Sequence, residues 1–353
     1  MSYDAKTPTP LNPPARGPVD RMGRPLHDLR ISVMDRCNFR CPYCMPADKY
    51  HENFRFLHSS ERLSFQEILR LTRLFVGLGV RKVRITGGEP LLRPQISELV
   101  GELSLIDKVE DIALTTNGIL LSQHAAALKA AGLHRVTVSL DSVDEDTFEN
   151  MSGGRGGVDR VLDGVKAAVD AGLDPVKVNA VIQRGVNDDG VLDLIEHFRG
   201  TGVTVRFIEY MDVGTMNHWQ PEDTVPSREL LETISARWPL QPVDRSYRGE
   251  VANRYAFDDG AGEIGFVSSV TEPFCRDCTR ARLSSDGKLF NCLFANKGLD
   301  LRSVIRAGIS NDELISMISD AWKARADRYS ELRASLRSSK SEPRRIEMYY
   351  IGG

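Results

Sequence analysis

The chain has 353 residues, a formal net charge of −3, 41% hydrophobic residues and 27% charged ones. That length suits one large α/β unit or two domains, and the near-neutral charge carries no global signature of a nucleic-acid or anionic-membrane partner. The sequence has no bilayer-length apolar run and no cationic leader, which predicts a cytoplasmic protein with reduced thiols.

Residues 1–27 hold Pro8, Pro10, Pro13, Pro14, Pro18 and Pro25 with little apolar periodicity, and are expected to form a flexible extension. Beyond them, strands are expected over 29–34, 82–86, 111–115, 135–140, 176–182 and 204–209. Helical patterns over 64–78, 121–131 and 158–171 lie between them and end at Gly79, Gly132 and Gly172. Six such units in series predict a parallel α/β sheet over 28–238. Residues 239–353 read as a second module, with shorter strands around a Ser285–Gly287 turn and then helices.

The strands alternate in character. Arg30 and Ser32 oppose Ile31 and Val33; Lys82, Arg84 and Thr86 oppose Val83 and Ile85; Lys177 and Asn179 oppose Val176 and Val178. With a side-chain period of two, one sheet face is polar and cationic. Crossover helices need the apolar face, so the polar face must turn inward, as in a curved sheet with helices outside. Arg30, Lys82, Arg84, Lys177 and Arg206 would then share a lumen. Either a polyanion such as a nucleoside triphosphate or ion pairing with Glu89, Asp141 and Glu209 would offset that charge.

All six cysteines fall in two triplets: Cys37, Cys41 and Cys44 as C-x3-C-x2-C, and Cys275, Cys278 and Cys292 as C-x2-C-x13-C. Three thiolates are one short of a closed zinc or iron–sulfur site. The first triplet follows the first strand, where barrel active sites gather; zinc there would need a poorly placed His51 or His58. The second also fits a zinc ribbon, although no histidine occurs after His218. Gly87-Gly88-Glu89-Pro90 follows the second strand and fits either a tight turn or close approach to a ligand ammonium.

The first spacing resembles the radical S-adenosylmethionine superfamily, and the chain from Leu29 onward is similar to its GTP 3′,8-cyclases of molybdenum cofactor biosynthesis. The likeness rests on Arg30–Val33, the loop Cys37–Pro46, Val83–Leu91, Thr115–Gly118, Val176–Asn179, Arg206–Met211, the second cysteine motif and the terminal Gly352-Gly353. It implies an incomplete (β/α)6 TIM-like barrel with a C-terminal module carrying a second Fe–S cluster. Cys37, Cys41 and Cys44 would hold one 4Fe–4S cluster and Cys275, Cys278 and Cys292 the other. Tyr43, Gly88, Ser139 and Met211 would bind S-adenosylmethionine, although Met211 also fits an ordinary core role. Arg30, Lys82, Arg84, Thr115, Lys177, Arg206, Arg280 and Arg282 would bind GTP. Arg280, Arg282, Gly352 and Gly353 are the implied catalytic group. The implied reaction takes the 3′-hydrogen of GTP and joins C3′ to C8, giving (8S)-3′,8-cyclo-7,8-dihydro-GTP. The implied partners are a flavodoxin- or ferredoxin-type electron donor and a downstream cyclic pyranopterin monophosphate synthase, with no nucleic acid or membrane. The expected state is a monomer or homodimer.

Overall fold

The computed structural model describes residues 17–337 and 345–352. Six strands, β1 (Asp28–Ser32), β2 (Lys82–Thr86), β3 (Asp111–Thr116), β4 (Arg135–Ser139), β5 (Val176–Ile182) and β6 (Thr204–Glu209), pair in parallel in chain order. Apolar positions such as Leu29, Ile31, Val83, Ile85, Val136 and Val138 are at most 1% exposed and belong to one continuous core. Helices cover that face. The one at Phe65–Gly77 begins where the Ser64 hydroxyl accepts from the Glu67 amide and the Glu67 carboxylate accepts from the Ser64 amide, which satisfies two orphan donors. It turns off at Gly79, whose φ of +113° favours glycine.

The C-terminal region continues this sheet instead of building another. The strands β7 (Leu240–Val243), β8 (Asn253–Phe257) and β9 (Glu263–Val267) join one edge through parallel β6–β9 pairing. At the other edge β10 (Arg280–Leu283) pairs in parallel with β1, followed by β11 (Lys288–Phe290) and β12 (Leu299–Asp300). The strand order is β12-β11-β10-β1-β2-β3-β4-β5-β6-β9-β8-β7. Both exposed edges of the six-strand core are thereby covered. The expected Ser285–Gly287 turn does link β10 to β11, with Gly287 at φ +81°.

The expectation of a flexible extension over residues 1–27 is corrected for its described part. Val19 bridges Pro25, and Asp20, Arg24 and Leu26 are buried. The Asp20 carboxylate accepts from the Met22 and Arg24 amides, both at 2.9 Å, so Pro18 and Pro25 bracket a tight turn. Residues 1–16 of that extension lie outside the described residues, as does Gly353.

Candidate active site

The inward face of the sheet encloses a cavity of about 400 Å³. Arg30, Lys82, Arg84, Lys177 and Arg206 line it, as the alternation predicts, together with Thr115 from β3. Arg280 and Arg282, two residues apart on β10, enter from the C-terminal region, and Cys275, Cys278 and Cys292 border the same space. Its size falls in the usual range of ligand cavities.

This lumen is short of negative charge. Glu89, Asp141 and Glu209 do not neutralise it, because each is engaged elsewhere. Glu209 accepts from the Ser227, Val270 and Thr271 amides at 2.8–2.9 Å, and Asp141 accepts from the Tyr43 hydroxyl at 2.6 Å and the Val181 amide at 2.8 Å. Arg135 has Asp111 as its partner. Arg84 instead donates to the hydroxyls of Thr115 at 2.9 Å and Thr137 at 3.2 Å, and Arg206 donates to Asn179 Oδ1 at 2.9 Å. Burial first, and like charges second, push Lys177 down to about 8, Arg206 to about 9, and Arg84 and Arg282 to about 10. Arginine does not deprotonate in proteins, so Arg84, Arg206 and Arg282 stay charged in this buried setting.

The first triplet sits in a loop leaving β1. The buried Arg40 guanidinium knits it by donating to the carbonyls of Tyr50, Cys37 and Phe39, each at 2.7 Å. Gly87 and Gly88 press against this loop: the Gly88 amide donates to Met34 O and the Glu89 amide to Arg36 O, both at 2.7 Å. A Cβ at Gly87 would lie 2.5 Å from Met34 O, and one at Gly88 would strike Arg36 O. The glycine pair therefore admits the cysteine loop itself. Glu89 is equally occupied, accepting from the Thr116 hydroxyl and the Asn117 amide at 2.8 Å and the Leu91 amide at 2.9 Å. Tyr43 is pinned to Asp141, Ser139 is half-buried at the end of β4, and Met211 lines the cavity.

Burial pushes the Cys37 thiol up to about 12, with Glu89 adding to the rise, and carries Cys41 and Cys44 well above the usual thiol range. Cys41 and Cys44 are each raised further by the other two thiols or one of them, which places the three as neighbours. All six cysteines are free thiols. Among the described residues no three such side chains converge tightly enough for one metal ion. A cubane cluster fits better, since each cysteine binds a different iron. It would also supply the positive charge that these thiolates lack.

The second triplet has a different setting. Burial would raise the Cys278 thiol, but Arg280 and Arg325 outweigh it and hold it at about 6. Burial lifts Cys292 to about 11. The C-terminal segment also reaches the cavity. The Glu347 carboxylate accepts from the Thr215 amide at 3.1 Å and hydroxyl at 2.6 Å, and Tyr350 donates to Asp286 at 2.5 Å. Buried Gly352 offers its carbonyl to Arg282. At φ +70°, a Cβ on Gly352 would collide with Thr86 at the end of β2. Sequence reasoning did not find Asp20, Arg24, Arg325, Asp212 or Asp111; Arg325 and Asp212 in particular have partners more than one hundred residues away.

A parallel sheet with a cationic cavity on its inward face and a cysteine loop after its first strand fits a radical S-adenosylmethionine enzyme. The sequence matches the Radical SAM superfamily over residues 31–198 and Molybdenum Cofactor Synthesis C over residues 203–331. The fold is similar to that of Streptococcus suis SuiB bound to S-adenosylmethionine, with a TM-score of 0.58 at 16% identity over 92% of this chain and 76% of that one. The chain is 54% identical over 334 residues to a GTP 3′,8-cyclase of Xanthomonas campestris pv. campestris, covering 95% of this chain and 97% of the relative. It is 49% identical over 356 residues to that of Acidothermus cellulolyticus, covering 95% and 98%. The chain belongs to the GTP 3′,8-cyclase family and is a radical S-adenosylmethionine enzyme of molybdenum cofactor biosynthesis. Among the described residues no helix is long and apolar enough to cross a membrane.

Proposed function

We propose that the chain converts GTP to (8S)-3′,8-cyclo-7,8-dihydro-GTP, with one 4Fe–4S cluster on each cysteine triplet. The observation that carries this reading is a cationic cavity bordered by the second triplet. When bound, the first cluster and S-adenosylmethionine supply the one-electron chemistry that removes a ribose hydrogen.

Arg30, Lys82, Arg84, Lys177 and Arg206 bind the triphosphate, whose oxygens meet the lumen's demand for anions and give bidentate partners to the guanidinium groups. Thr115 orients Arg84, and Arg280 and Arg282 hold the guanine end beside Cys275, Cys278 and Cys292. Tyr43, Gly88, Ser139 and Met211 would hold S-adenosylmethionine, with Met211 on the cavity wall. Gly352 sets the Arg282 guanidinium through its carbonyl, and Gly353, which lies outside the described residues, belongs to the same catalytic group in this reading. A flavodoxin- or ferredoxin-type donor supplies the electron, and a cyclic pyranopterin monophosphate synthase takes the product. Six free thiols suit the cytoplasm.

Anaerobic turnover with S-adenosylmethionine and a reductant tests the reading, with GTP, ATP and ITP offered separately. GTP should yield a cyclised nucleotide together with 5′-deoxyadenosine. Equal deoxyadenosine formation without any nucleotide, and no cyclised product with GTP, would overturn it.

A further inference from the structure

The buried ionic cluster beneath the second triplet has no part in the chemistry described so far. Asp20, Arg24 and Arg325 have side chains at most 1% exposed. The Asp20 carboxylate accepts from Arg24 Nε at 2.5 Å and from Arg325 Nη1 at 3.2 Å, so one anion aligns two guanidinium groups. Each then reaches a different cysteine. Arg24 Nη1 donates to the Cys275 carbonyl at 2.6 Å and the Asp327 carbonyl at 2.9 Å. Arg325 Nη1 donates to the Cys278 carbonyl at 2.8 Å, while its Nη2 lies 3.2 Å from Cys278 Sγ. Trp322 closes the assembly, with its ring 4.6 Å from the Arg325 guanidinium and its Nε1 donating to Arg24 O at 3.0 Å.

Carbonyl contacts alone would describe a brace. The N–H···S contact adds more, because it aims a fixed positive charge at one ligand sulfur. The first triplet has weaker company: Cys37 Sγ accepts from the Phe39 amide at 3.4 Å and from Asn117 at 3.7 Å, both neutral donors. Charge and hydrogen bonds at the sulfurs set how readily a cluster takes an electron, and outer partners fix its ligands.

We infer that Arg325, keyed by Asp20, is a positioning residue for the second cluster, holding Cys278 in place and stabilising the cluster's more reduced state. This rests on the reading that the second triplet holds a cluster. The test uses the full chain carrying Cys37→Ala, Cys41→Ala and Cys44→Ala, which isolates that cluster. About four irons should remain per chain; a chain without iron would overturn the two-cluster reading before Arg325 is touched, and the inference with it. Adding Arg325→Met should shift the midpoint potential to more negative values and speed iron release to a chelator several-fold. Arg325→Lys should fall between, since an ammonium keeps the charge but cannot reach sulfur, carbonyl and Asp20 together. Should Arg325→Met fail to fold, Asp20→Asn decides through iron release, because it leaves Arg325 in place but unaligned; release should speed by less than in Arg325→Met. An unchanged potential and release rate in a folded Arg325→Met chain, or an unchanged release rate in a folded Asp20→Asn chain if that one decides, would overturn the inference.

Discussion

The two cysteine triplets set three thiols each in opposite electrostatic surroundings. The first is compact in sequence, set in one loop, recessed from the main cavity and surrounded by groups that disfavour thiolates, with burial leading and Glu89 adding to it at Cys37. The second is assembled from a short turn and the strand hairpin beyond it, borders the cavity, and has Arg280, Arg282 and Arg325 close at hand. A cluster on the first triplet would have to supply nearly all the positive charge there, whereas the protein itself supplies part of it at the second triplet. The first therefore suits a reagent that must be strongly reducing, and the second suits a substrate that arrives anionic.

The sharpest way to break this division is to remove one cysteine from each site. Cys37→Ala should abolish reductive cleavage of S-adenosylmethionine. Cys292→Ala should retain some cleavage while losing the cyclised product. Identical losses in the two variants, read by deoxyadenosine and nucleotide chromatography, would erase the distinction. Next in size, Arg84→Ala and Arg206→Ala each remove a buried cation without a carboxylate partner. A charged contact worth about 1.5–3 kcal/mol predicts a rise in the GTP dissociation constant of roughly 10- to 100-fold, with S-adenosylmethionine affinity kept. Calorimetric titration separates the two ligands.

Gly352→Ala probes the contact that reaches Arg282. A side chain at φ +70° costs about 1–2 kcal/mol and meets Thr86 as well, so kcat should fall on the order of tenfold. Steady-state rates at saturating GTP measure this, and wild-type turnover would mean that the Gly352 carbonyl does not set Arg282.

The last comparison is read in stability near the first site and leaves catalysis aside. Burial raises the Glu89 carboxyl to about 7, against the hydrogen bonds it accepts from Asn117 and Leu91. The unfolded chain releases that proton near the ordinary glutamate value of about 4.3. Between those values the native state binds more protons, so stability falls as pH rises, by on the order of 3 kcal/mol in full. Glu89→Gln should flatten the loss in melting temperature between about pH 5 and about pH 7.5, where wild type declines. Parallel melting curves would show that Glu89 is not the group responsible.

Much of this arrangement was legible in sequence, for a definable reason. Alternation along β1, β2, β5 and β6 is a local, period-two signal, and it led from Arg30, Lys82 and Arg206 to a shared lumen. The carboxylates were harder. Glu89, Asp141 and Glu209 stand next to the right strands, but what they accept from is set by loops such as 268–271, which no spacing reveals. Asp20, Arg24 and Arg325 join segments about three hundred residues apart, so the proline content around them outweighed the charges. Gly87 and Gly88 were legible as points of close approach, and one neighbour they admit is the cysteine loop, which no spacing reveals.

The pairing of β10 with β1 has a consequence for how the protein is made. The strand that opens the sheet receives its second neighbour from a segment synthesised near the end of the chain. Until Arg280–Leu283 leaves the ribosome, β1 presents an unpaired, apolar-backed edge, and the cavity lacks the wall that carries the second triplet. Long-range parallel pairing of this kind is slow to form and open to aggregation while it waits. A truncation before residue 280 should therefore yield a protein prone to edge-to-edge association instead of a half-enzyme with its own stable barrel.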